Sequence, residues 1–120
     1  MLPAWRKAYT HIVLSRTWGY LNRTQELAVT ERLRDVETQA LRDLAPDTGA
    51  YMNEADPTEP KWQKAFWGEN YERLARLKRK WDPRGVFWCR ACVGSEEWIV
   101  EGGDAIGQHE GRICRKGGAV

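Results

Sequence analysis

Prolines at positions 46, 57, 60 and 83 cut the middle of this 120-residue chain into short pieces. Proline has no amide donor and fixes its own φ, so it is unwelcome inside a helix or a central strand. The residue before a proline avoids the α region, so Asp82-Pro83 ends whatever helix precedes it. The longest regular pattern lies upstream of Pro46. There "NRTQELAVTERLRDVETQALRDLAPDTG" opens on capping residues and repeats apolar side chains at helical period. Leu33, Val36, Ala40 and Leu44 share one face, with Leu41 beside them. This predicts a helix from about residue 24 to 44.

Shorter elements flank it. "AYTHIVLSRTW" (8–18) is β-branched and aromatic, with Tyr9, His11, Val13 and Ser15 on one face and Ile12 and Leu14 on the other, and reads as a strand. "GAYMNE" reads as a short strand and "DPTEP" as a turn. "KWQKAFWG" reads as a short helix stopped by Gly68, and "ENYERLARLKRKW" as another helix. "GVFWC" resembles a buried strand. "EEWIVE" and "GRICR" read as short strands around a loop at 102–111. Helices and strands follow no βαβ rhythm, so the fold class is α+β: short antiparallel strands with about three helices. Three parts are expected: 1–48, a strand and helix; 49–98; and a Gly-rich tail, 99–120.

Composition excludes several classes. A net charge of +2 demands no anionic partner, so no nucleic acid is implied. The cations of "ERLARLKRKW" spread around their helix and read as a solvated face rather than a binding stripe. No apolar run approaches the ~20 residues of a membrane helix. The N-terminus has no sustained apolar core of the kind a signal peptide carries, and the compartment is left open. Seven tryptophans are many for this length, and large aromatics fill cores or interfaces.

Three cysteines allow several chemistries. Cys89 and Cys92 have the C-x-x-C spacing that grips a tetrahedral ion, and His109 with Cys114 would complete a zinc-binding or interaction module. The H-x-x-x-x-C half is loose for such a site. A disulfide from Cys114 to Cys89 or Cys92, or three plain thiols, is the stronger expectation, and no metal is assigned.

The most unusual stretch is "GAYMNEADP" (49–57). Its bland reading is an Asx turn before a helix. Its functional reading puts Tyr51 and Asn53 on one strand face by the period of two. An amide offers the donor and acceptor that a heteroaromatic edge needs, and Glu54 offers a carboxylate base if it is shielded from water. Regular strand geometry would point Tyr51 and Glu54 to opposite faces.

"GAYMNEADP", then "FWGENYERLARLKRKWDPRGVFWC", then "VGSEEW" together resemble the C-terminal segment of berberine bridge enzyme-like FAD-linked oxidoreductases, in the vanillyl-alcohol oxidase superfamily. The likeness is nearest to the fungal branch, where Y-x-N-E, W/F-G-x-N-Y-x-R-L, D-P-x-x-x-F and V-G-S-E-x-W recur in order. It implies a larger two-domain flavoprotein. An FAD-binding domain would hold the cofactor, and a substrate domain, of which this chain is a part, would cover the isoalloxazine. The resemblance assigns Glu54 and Tyr51 to catalysis and Asn53, Asn70 and Tyr71 to the flavin pocket. Relatives commonly carry Tyr or His where Glu54 stands, so the usual phenolate mechanism does not transfer. The FAD-binding domain becomes the missing partner, a small molecule the substrate, and Trp18, Trp62, Trp67 and Trp88 the expected uncovered aromatics. Family relatives are often secreted.

The chain alone is expected to remain colourless when purified with FAD and passed through gel filtration, because no Gly-rich turn opens a helix for the pyrophosphate. A yellow, monodisperse protein with stoichiometric flavin would overturn that expectation.

Overall fold

The structure is a computed structural model and describes residues 2–102 and 111–117. It opens on a 3₁₀ turn, Pro3–Lys7, and an extended segment. Helix α1 (Arg23–Arg32) follows, then a wide π turn (Leu33–Glu37) and α2 (Thr38–Leu44). After a loop come a second π turn (Gln63–Trp67), a 3₁₀ turn (Gly68–Asn70) and α3 (Tyr71–Trp81). A short turn, Ser95–Glu97, leads into β1 (Trp98–Val100), which pairs antiparallel with β2 (Ile113–Arg115). Trp98 faces Arg115 and Val100 faces Ile113. The α+β class and the last two strands match the sequence reading.

The predicted 24–44 helix forms as α1, the π turn and α2 in one run. Asn22 caps its start, its side chain accepting from the Gln25 amide at 3.0 Å. The π turn lets the Thr38 N–H reach Leu33 O, five residues back. Arg42 then crosses the turn and donates to Arg34 O at 2.7 Å. On α3 the cationic face is solvated as expected: Arg73, Arg76, Arg79 and Lys80 are exposed, while Ala75 is buried.

Three predicted strands are absent among the described residues. Residues 8–18 form no ladder, and Tyr9, Ile12 and Val13 stand exposed. A strand is made by its neighbour as much as by its own residues, and no strand among the described residues pairs with this one. Residues 49–54 form a turn, in which the Glu54 amide donates to Tyr51 O at 2.9 Å. "GVFWC" is neither buried nor a strand. Asp82 accepts from the amides of Val86 at 2.8 Å and Phe87 at 3.0 Å, taking donors that a ladder would use. Lys78 closes the loop by donating to Asp82 at 2.6 Å and to Phe87 O at 2.7 Å. The Lys78 contact, first, holds the Asp82 carboxyl below its ordinary range, with the Phe87 and Val86 amides adding to it.

The core is small. Leu2, Phe66, Ala75 and Ala91 are its buried apolar residues. Leu2 wedges between Gly49 and Gly68: a Cβ on Gly49 would lie 2.4 Å from the leucine and 2.5 Å from Ala65 O. That close approach lets the Ala50 amide donate to Ala65 O at 2.9 Å. Trp18 is exposed as expected, but Trp62, Trp67 and Trp88 are half-buried. Trp62 stacks edge-on to Tyr71, and Trp67 donates to Ala91 O. Among the most exposed apolar residues are Trp81, Val86 and Phe87 at and after the end of α3, and Tyr9, Tyr20 and Leu21 before α1.

The cysteine pairing also differs. Cys89 bonds to Cys92, and Cys114 is a free thiol on β2. A turn in which the Cys92 amide donates to Cys89 O brings their Cα atoms to 5.3 Å, inside the disulfide range. Both sulfurs of the C-x-x-C pair are thereby used, so the zinc module loses two of its four ligands. His109 lies outside the described residues. Burial, and then the Glu101 carboxylate, push the Cys114 thiol up.

Alkylation without reductant followed by peptide mapping should label Cys114 and leave Cys89 and Cys92 joined. The loop they close is short, so Cys89→Ser should lower unfolding free energy by only about 2 kcal/mol in a denaturant titration. A labelled Cys89 in the unreduced protein would contradict this pairing.

Candidate functional site

A cavity of about 1080 Å³ lies between the extended segment, the α1–α2 run and the 48–61 loop. The charge pairs around it explain its shape. Arg16 of the extended segment pairs with Glu37 at 2.5 Å, and Arg32 reaches the same carboxylate at 3.2 Å. These contacts hold the segment across the helical run without a ladder. On the other side Arg42 donates to Glu59 at 2.6 Å, fixing the loop to α2. Asp56 turns the loop by accepting from the amide and hydroxyl of Thr58 at 2.7 and 2.6 Å. Asp56 is therefore bound into the loop's own geometry.

Tyr51 and Glu54 both line this cavity. The regular-strand difficulty disappears because the residues fold through a turn. Asn53 Nδ2 donates to the Tyr51 hydroxyl at 2.8 Å, so these two also come together. The phenol keeps its own proton available to a further acceptor. The Glu54 side chain is 52% exposed, and its Oε2 lies 3.8 Å from Nε2 of His11. The shielding expected around Glu54 is not provided by these residues alone.

Asn53 is not among the lining residues and reaches the cavity only through the Tyr51 hydroxyl; Asn70 and Tyr71 do not line it either. They open α3, where Tyr71 has local partners. Its hydroxyl donates to the Glu96 carboxylate and accepts from the Gly94 amide at 3.3 Å. Desolvation, then the Glu96 hydrogen bond, push the phenol well above its ordinary range. That geometry joins the start of α3 to the turn before β1. His11, Trp5 and Arg42 line the cavity and were not singled out from the sequence as site residues. A lone histidine in an alternating segment carries no signal until a carboxylate from a distant loop faces it.

The berberine and berberine-like family profile matches residues 50–94, which include the Tyr51–Glu54 turn and all of α3. An uncharacterized FAD-linked oxidoreductase of Arthroderma benhamiae is 46% identical over 101 residues, covering 83% of this chain and 17% of that protein. The FAD-linked oxidoreductase patO of Aspergillus clavatus is 39% identical over 116 residues, covering 96% of this chain and 19% of its own length. The crystal structure of the VAO-type flavoprotein MtVAO713 from Myceliophthora thermophila C1 superposes with a TM-score of 0.71 at 39% identity, over 81% of this chain and 16% of that one. The fold and motifs are thus those of a segment of VAO-type flavoproteins. Residues 50–94 are a berberine and berberine-like segment, and the chain spans less than a fifth of the length of these curated relatives.

Tyr71 provides a direct check of the packing. Its raised phenol favours the neutral form in the folded state. The resulting stability is fully present below about pH 10, where an unfolded tyrosine ionises, and is lost as pH rises through the higher folded value. In a 295 nm titration one of the four tyrosines should ionise only with unfolding. Tyr71→Phe should remove that silent fraction and cost about 1 kcal/mol at neutral pH, the hydrogen bond being partly solvated.

Proposed function

We propose that this chain forms one wall of the active site of an FAD-dependent oxidoreductase acting on a small molecule. The observation that carries the reading is the placement of Tyr51 and Glu54 together on a large cavity, within the segment that matches the family profile. A cavity of this size suits a small organic ligand lying beside a cofactor ring.

The residues fit the ring part of the cofactor. Tyr51 supplies an aromatic face and a hydroxyl, and Asn53 an amide beside it. They do not fit its pyrophosphate. The first turn of α1 is already capped by Asn22 and carries Glu26, and the first turn of α3 carries Glu72. Both features oppose an anion at those helix ends. A separate FAD-binding domain would hold the nucleotide and would cover the apolar residues left bare at Tyr9, Tyr20 and Leu21.

The bound flavin would supply the acceptor for a hydride from a substrate C–H, with O₂ restoring its oxidised form. Glu54 takes the proton from the substrate hydroxyl or amine as that C–H bond breaks. Tyr51 orients the reactants along the same wall, and Asn53 holds the Tyr51 hydroxyl from behind it. Asn70 and Tyr71, away from the cavity, frame the site indirectly by fixing the start of α3.

In the flavin-loaded full-length protein, Glu54→Gln should slow anaerobic flavin reduction about 10²–10⁴-fold while leaving flavin content unchanged. Stopped-flow absorbance reads the first quantity and the spectrum of the purified protein the second. An unchanged reduction rate would leave Glu54 as a turn residue.

A further inference from the structure

We propose that His11 is the residue that positions Glu54, and that the two act as a pair in the cavity lining. The inference rests on the role proposed for Glu54. His11 Nε2 lies 3.8 Å from Glu54 Oε2, within ion-pair reach and too long for a hydrogen bond. The imidazole stands edge-on to Trp5, with ring centroids 5.0 Å apart at 88°. Trp5 sits in the opening 3₁₀ turn, whose Trp5 amide donates to Leu2 O at 3.2 Å. Leu2 is one of the few buried apolar residues. A chain of contacts therefore runs from the core through Trp5 to the His11 ring and on to the carboxylate.

Several other charged groups lining the cavity have separate engagements. Arg42 is bound to Glu59, and Asp56 to Thr58. The Glu54 backbone is fixed by its turn, but its side chain is half-exposed and otherwise free to rotate. A carboxylate base works only when its oxygen points at the proton it removes. The His11 imidazole, 3.8 Å away, draws the carboxylate toward itself, and closing that gap to hydrogen-bond distance when substrate excludes water would fix its direction. Here His11 takes no part in bond making: the substrate proton goes to Glu54, and the hydride leaves separately.

An exposed ion pair is ordinarily worth little. The distinguishing feature is that both partners of this one line the cavity and belong to segments far apart in sequence. Once water is excluded, the same pair is held more strongly.

A double-mutant cycle in the flavin-loaded full-length protein tests the pairing. The probe is whichever alcohol or amine, from a panel of benzylic and aliphatic compounds, reduces the unsubstituted flavin fastest. His11→Ala should slow anaerobic reduction about tenfold with flavin content unchanged, and should have no further effect in the Glu54→Gln background. His11→Gln, which keeps a donor near the Nε2 position, should restore most of the rate. Equal slowing by His11→Ala in both backgrounds, or none in either, would overturn the pairing while leaving the role of Glu54 intact. If Glu54→Gln itself leaves the rate unchanged, or if no compound of the panel reduces the flavin, the proposed function fails first.

Discussion

The Arg42–Glu59 pair is the contact on which the arrangement of this chain depends. Arg42 makes three hydrogen bonds: to Gln39 at 2.9 Å, to Arg34 O at 2.7 Å and to Glu59 at 2.6 Å. The first two brace the π turn and α2 from within. The third ties that helical run to the loop following the Tyr51–Glu54 turn. The Glu59 side chain is only 9% exposed, so removing the arginine would strand a carboxylate away from water. The guanidinium is suited to this task because its planar fork serves several acceptors at once. One residue thus braces the helical run across its π turn and ties it to one wall of the cavity.

The cavity exists because the surrounding elements are held by charge and hydrogen bonding instead of by a filled apolar core. Arg16 and Glu37 suspend the extended segment, and Asp56 turns the loop. These contacts span space where side-chain packing would close it. The same economy leaves Tyr9, Ile12 and Val13 uncovered, on a segment whose backbone lacks a ladder partner. Such a surface is stable in water only when something else lies against it. The remainder of a VAO-type flavoprotein, in the proposed reading, is what does so.

The far end is built differently. Tyr71 joins α3 to the turn before β1, Asp82 and Lys78 close the loop after α3, and Cys89–Cys92 pins the next turn. Gly85 has φ +65°, and a Cβ there would lie 2.4 Å from the Trp98 ring. A side chain at this position would both strain the backbone and displace that ring. These short-range ties make a stiff unit whose residues hold one another in place. Asn70 and Tyr71 belong to it, which explains why their place in the motif does not bring them to the cavity.

The sequence alone determined the elements whose pattern repeats along consecutive residues. The helical period before Pro46, the capping by Asn22, the solvated cations of α3 and the strands around Trp98 and Ile113 were all legible, because each is written in consecutive side chains. For Tyr51, Asn53 and Glu54 the sequence left a turn and a strand both open, and the structure has the turn. Tertiary structure decided the rest. Whether 8–18 forms a strand depends on a pairing edge that its own residues do not encode. Cys92 bonds to Cys89 because a local turn brings their Cα atoms within reach, while Cys114 is drawn into β2. Tyr51 and Glu54 share a wall because the backbone turns between them, and His11 meets Glu54 only because Arg16 and Arg42 hold two distant segments face to face. Periodicity records which side of an element a residue occupies; which other element lies opposite is settled by long-range contacts that no window of the sequence contains.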